Sequence, residues 1–84
     1  MAAENAVNAQ ALIEHVAKSL VDAADQVSVN VAEDEDGTVI ELKVAETDLG
    51  KVIGKQGRIA RAMRGLLGVA GLKSHKHYTL EILE

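Results

Sequence analysis

The period at which apolar residues recur changes along this chain, and that succession limits the fold more than any other feature. From Asn5 to Ala24, the residues Ala9, Leu12, Ile13, Val16, Leu20 and Val21 return at spacings of three and four, with Gln10, Glu14, Lys18 and Asp22 opposite. That spacing predicts an amphipathic helix. Val27, Val29 and Val31 then alternate with Ser28, Asn30 and Ala32, and after Glu33-Asp34-Glu35-Asp36-Gly37 a second alternation runs through Ile40, Leu42 and Val44. Two strands joined by an acidic turn that closes on Asp-Gly account for this. Thr47 or Glu46 caps a short helix through Ile53, and Gly54 stops it. A longer helix runs from residue 58 to about 70, residues 71–76 form a loop, and Tyr78, Leu80 and Ile82 alternate as a last strand.

The order is therefore αββααβ, an α+β chain. A short turn makes the first two strands antiparallel neighbours, and the helical pair between the second and third suits a right-handed crossover to a parallel strand. The expected architecture is a mixed three-stranded sheet with the first strand on one edge, the second in the centre and three helices on one face. With 84 residues and 48% apolar content, there is material for one core, so residues 1–84 read as a single domain. No cysteine is present, which excludes disulfides and thiolate metal sites. No apolar run approaches the roughly 20 residues of a membrane span. Met1-Ala2-Ala3-Glu4-Asn5 lacks the basic, greasy start of an export signal, so a cytoplasmic location with no membrane contact is expected.

The net charge of −4 conceals a division. Residues 1–50 hold two basic residues against eleven acidic ones, whereas residues 51–84 hold seven basic against two acidic. Such a chain can present an anion-binding surface with a repulsive back, although solvated faces of small domains also segregate charge. The basic half contains Val52-Ile53-Gly54-Lys55-Gln56-Gly57. It is not a nucleotide-binding P-loop: three residues, not four, separate Gly50 from Gly54, and Gln56 stands where the metal-binding hydroxyl belongs. It is a two-residue loop framed by glycines between two helices. Glycine at both ends permits unusual dihedrals and removes the β-carbons that would hold a polymer backbone away. The amides opening the next helix form an anion site, beside which Lys55 adds a full charge. Helix-helix turns also favour glycine, so the loop alone does not decide.

The next helix does. At about 100° per residue, Ile59, Ala60, Ala62, Met63, Leu66, Leu67, Val69 and Ala70 fall within one half of its circumference, the half expected to face the core. Arg58, Arg61 and Arg64 lie on the other, with Gly65 and Gly68 among them and no acidic residue to pair with. Solvated helix faces normally mix signs, so an all-arginine face after a phosphate-compatible loop points to polyanion binding.

These residues resemble the KH domain, whose mark is a hydrophobic-Ile-Gly-x-x-Gly loop between two helices, here Val52 to Gly57. The αββααβ order is similar to the type II KH arrangement. The run Gly57-Arg58-Ile59-Ala60-Arg61-Ala62-Met63-Arg64 resembles small bacterial stand-alone KH proteins of the KhpA type. Two positions differ from the usual pattern: Ala60 replaces a large aliphatic residue, and Gln56 replaces a frequent glycine. The resemblance implies a groove for about four nucleotides of single-stranded RNA, in which the loop grips the sugar-phosphate backbone. By that reading Gly54 and Gly57 admit the backbone with Gln56 between them in the RNA-binding loop, and Lys55, Arg58, Arg61 and Arg64 meet phosphate. Lys51 adds steering charge, and Ile53 lines the groove. It also implies a post-transcriptional regulator or RNA chaperone, and a homodimer or a heterodimer with a larger KH-containing protein. A rival reading is a protein-interaction module whose Gly65 and Gly68 accept a partner helix; a ribosome-associated factor is a third. Tyr78 is the only aromatic residue, so stacking platforms are excluded. His75 and His77 lack a third metal ligand, and His15 has no nucleophile to serve. No enzyme, cofactor or metal site is expected.

Overall fold

The computed structural model describes the backbone of residues 2–83 and the side chains of 9–73 and 75–83. Helix α1 spans Ala2–Leu20, strands β1 and β2 span Ser28–Asp34 and Gly37–Lys43, helices α2 and α3 span Leu49–Ile53 and Arg58–Ser74, and strand β3 spans Tyr78–Leu83. Single 3-10 turns at Ala24–Gln26 and Glu46–Asp48 precede β1 and α2. The sheet order is β1-β2-β3, antiparallel between the first pair and parallel between the second. This is the expected topology.

The core lies on one face of the sheet because each strand alternates. Val29, Ile40, Leu42, Tyr78 and Leu80 are buried on the helical side, while Ser28, Asn30, Lys43 and Thr79 stand exposed on the other. Against the buried face α1 lays Ala9, Ile13 and Ala17, each one turn after the last, and Gln10 Nε2 donates to the Val29 carbonyl at 2.7 Å. Val52 of α2 and Ala60, Met63 and Leu67 of α3 close the same core.

The hairpin turn is set by Asp34, whose Oδ1 accepts from the amides of Asp36 at 2.8 Å and Gly37 at 3.0 Å. Those acidic residues therefore do turn chemistry, and β1 runs on to Asp34. Gly37 adopts φ +145°, and a β-carbon there would sit 2.4 Å from the His77 carbonyl oxygen, to which the Thr38 amide donates at 2.8 Å. The parallel pairing thus begins where only glycine fits.

Two expectations change in the helices. Helix α3 does not end near residue 70 but continues to Ser74, because Gly71 acts as a site of close approach and not as a stop. A β-carbon on it would meet the Lys76 carbonyl oxygen at 2.3 Å, and the helix instead ends at left-handed His75, φ +55°. The core side of α3 is also narrower than half a circumference. Ala62 is exposed, and Leu66, Val69 and Leu72 are 46%, 54% and 80% exposed.

Glycine substitutions separate these roles. Gly50 lies in α2 with nothing within 4 Å of an added β-carbon, so Gly50→Ala is expected to raise stability by about 0.4–1 kcal/mol. Gly37→Ala is expected to lower it by more than that gain, with both changes measured by chemical denaturation.

Candidate nucleic-acid interface

Between α2 and α3 the chain reverses through three residues of positive φ: Gly54 at +77°, Gln56 at +58° and Gly57 at +74°. The Gly54 amide donates to the Gly50 carbonyl at 2.8 Å and the Gly57 amide to the Gly54 carbonyl at 3.1 Å. Gly54 is further constrained by Ile59, whose Cγ1 would lie 2.6 Å from an added β-carbon. At Gly57 nothing lies within 4 Å of that position, so its outer side is open. No side chain caps the start of α3, whose first turn faces the loop as a bare N-terminus.

The expected basic residues are sorted by their partners. Arg58, Arg61 and Arg64 are all exposed on α3, as is Lys55 in the loop. The side chains of Lys55 and Arg64 make no hydrogen bond or ion pair with the described residues. Arg61 Nη2 donates to the Gln56 carbonyl at 2.8 Å, and Arg58 Nη2 reaches Gln56 Oε1 at 3.5 Å. Lys51, expected to add steering charge, has its ammonium held between the carboxylates of Asp22 and Asp48, the latter at 3.1 Å.

That pairing centres on Asp48. Neither Thr47 nor Glu46 caps α2 through its side chain; Asp48 precedes the helix, is 2% exposed, and turns inward. Its Oδ2 accepts from the Ala23 amide at 3.0 Å and its Oδ1 from Lys51. The Ala23 amide, and then Lys51, hold the Asp48 carboxyl below its ordinary value despite burial. The carboxylates of Asp22, first, and of Asp48 raise the Lys51 ammonium. The segment after α1 is thereby tied to the base of the loop.

Beside the loop lies a shallow groove of ≈ 360 Å³ whose lining includes Leu49, Ile53 and Ala60 from the helices and Leu80 and Ile82 from β3. Gly57, Arg64 and Glu81 complete it. Ile53, half-buried, is among these lining residues. The small Ala60, buried at 4% exposure, leaves room above it. Leu49, Leu80, Glu81 and Ile82 were not legible as site residues, because their place depends on β3 being the edge strand next to the helical pair. Only the predicted parallel crossover carried a hint of this.

An αββααβ chain with a glycine-framed loop between its second and third helices and an apolar groove along the edge strand is a KH domain of the type II arrangement. Comparison with known proteins narrows the class. Residues 10–82 match the family described as KhpA/KhpB, KH domain. A protein of Aquifex aeolicus named RNA-binding protein KhpA is 55% identical over 73 residues, 87% of this chain and 92% of that one. Proteins of the same name from Borreliella burgdorferi, 52% identical over 73 residues, and Clostridium acetobutylicum, 50% identical over 72, are covered to 89% and 96% of their lengths by 87% and 86% of this chain. No solved structure matches the chain. The chain belongs to the KhpA/KhpB family of KH domains.

Asp48 sets an expectation for acid stability. A carboxyl held lower in the folded state stabilises it fully above its unfolded pKa of about 3.9, and that stabilisation fades as pH falls through the lowered value. Denaturation at a series of pH values should therefore show the parent losing more stability than Asp48→Asn as the pH drops from about 5 to 2. Parallel profiles would show that Asp48 carries no charge-dependent stabilisation.

Proposed function

We propose that this chain is an RNA-binding protein that holds a single-stranded sugar-phosphate backbone at residues 54–57 and the first turns of α3, with bases laid into the adjoining groove. The observation that carries this is positive charge gathered on an open glycine turn: Lys55, Arg58, Arg61 and Arg64 are exposed, and the sequence has no acidic residue between Asp48 and Glu81. Lys55 and Arg64 have charged ends left unpaired by the described residues. Gly54, Gln56 and Gly57 form the turn that the backbone passes, and Arg58 and Arg61 flank it. Ile53 lies on the base side. Lys51 gives its charge to Asp22 and Asp48.

The rest of the surface favours the same path. Glu41 stands on the open face of the sheet and the hairpin adds Glu33 to Asp36, so a polyanion is repelled there. The names of the relatives agree with an RNA partner. Grip on the backbone reads little sequence, which suits a cytoplasmic post-transcriptional regulator or RNA chaperone that acts by binding and not by catalysis. No helix among the described residues is long and apolar enough to cross a membrane.

One further observation favours an additional protein contact. Leu66, Val69 and Leu72 expose an apolar stripe on α3, and Gly65 beside them has open space around it. A second copy of the chain, or a larger KH-containing partner, would cover that stripe.

Replacing Lys55 and Gln56 together by Asp places two negative charges on the phosphate path without touching the core. RNA binding should collapse while the thermal transition is kept; full affinity in the folded variant would exclude the loop as the site. Arg64→Gln should weaken binding to unrelated RNA sequences alike and lower the salt slope by about 0.7. Leu66→Gln with Val69→Gln should leave a folded monomer by light scattering, with RNA affinity retained at the loop.

A further inference from the structure

Gln56 occupies a backbone conformation that suits glycine. Its φ of +58° and ψ of +25° place it in the left-handed region, where a side-chain-bearing residue is strained unless its surroundings hold it. Gly54 and Gly57 reach positive φ without that penalty. Gln56 has no such freedom, and the contacts that hold it come from α3.

The carbonyls of the turn are taken in order. The Gly54 carbonyl accepts from the Gly57 amide at 3.1 Å, and the Lys55 carbonyl accepts from the Arg58 amide. The Gln56 carbonyl accepts from Arg61 Nη2 at 2.8 Å, across five positions. Arg58 Nη2 meets the Gln56 side chain at 3.5 Å. A main-chain carbonyl left open beside a phosphate path would present the negative end of its dipole to the ligand. Arg61 covers that dipole with a charge-assisted bond and fixes the peptide from which it projects.

Resting on the RNA-binding reading of the loop, we infer that Arg61 is a positioning residue, whose guanidinium keeps Gln56 left-handed and so preforms the turn before RNA arrives. Its role differs from that of Arg64, whose side chain makes no bond to the described residues. Preformation removes an ordering step from binding, so loss of the clamp weakens affinity without removing a phosphate contact. Replacing Gln56 by Gly removes the conformational penalty and with it most of the need for the clamp.

The test combines Arg61→Met, Arg64→Met and Gln56→Gly with an unstructured oligouridine as probe, all variants first shown to keep the parent thermal transition. In RNA-free protein, Arg61→Met should move the Cα shift and amide coupling of Gln56 away from left-handed values, and Arg64→Met should leave them in place. Unchanged Gln56 signals in Arg61→Met overturn the inference whether or not RNA binds. With RNA, Arg61→Met should cost roughly tenfold in affinity when Gln56 is kept, with the salt slope unchanged, and severalfold less in the Gln56→Gly background. An equal loss in both backgrounds, with the slope lowered by about 0.7, would make Arg61 a plain phosphate contact and also overturn it. Failure of the parent itself to bind any RNA would instead sink the function proposed above, while the RNA-free signals still decide the role of Arg61.

Discussion

The site depends on one reversal of the backbone, in which three of four consecutive residues, Gly54, Gln56 and Gly57, hold positive φ. A turn of that kind cannot stand on a short exposed segment alone, and every element around it supplies a restraint. Ile59 packs where a β-carbon of residue 54 would be, so the second helix is seated against the first through a contact that only glycine allows. Val52 anchors the five-residue α2 in the core, and Met63 and Leu67 anchor α3. The two ends of the loop are held at a fixed spacing because the helices on either side cannot separate without opening the core.

Electrostatics follow from the same geometry. A chain with net charge −4 presents a basic edge because its acidic residues sit on other elements or are paired inward. Asp48 is the instructive case. It stands six positions before Gly54, yet its carboxylate is buried, accepts from the Ala23 amide and is paired with Lys51. The pairing engages the Lys51 ammonium with two carboxylates and ties the linker after α1 to the helix that carries the site. The acidic hairpin lies at the β1–β2 turn and Glu41 on the central strand, whereas Glu81 lines the groove beside Arg64.

Much of this was legible in the sequence. Alternation alone located the strands, and the short acidic turn with the long crossover fixed their order and directions. The glycine-framed loop and the three arginines were visible because they break the usual mixing of signs on a helix. What stayed hidden depends on distance across the chain. Gly71 looks like a helix end, but its smallness serves the return of the chain at Lys76. Leu66 and Val69 look like core at helical spacing, but the fully buried stripe of α3 runs through Ala60, Met63 and Leu67. Lys51 looks free until Asp22, 29 positions earlier, is brought beside it. The β3 wall of the groove could be found only once the parallel register was known.

The most direct test of an RNA path along the loop is to follow the backbone amide signals of the protein as a short unstructured RNA is added at low salt. Graded shifts are expected at residues 54–64 and at Leu80 and Ile82, fading as salt is raised, with the Glu33–Asp36 hairpin and the open face around Glu41 unmoved. Shifts confined to Leu66, Val69 and Leu72, or to the sheet face, with residues 54–58 unchanged, would contradict it.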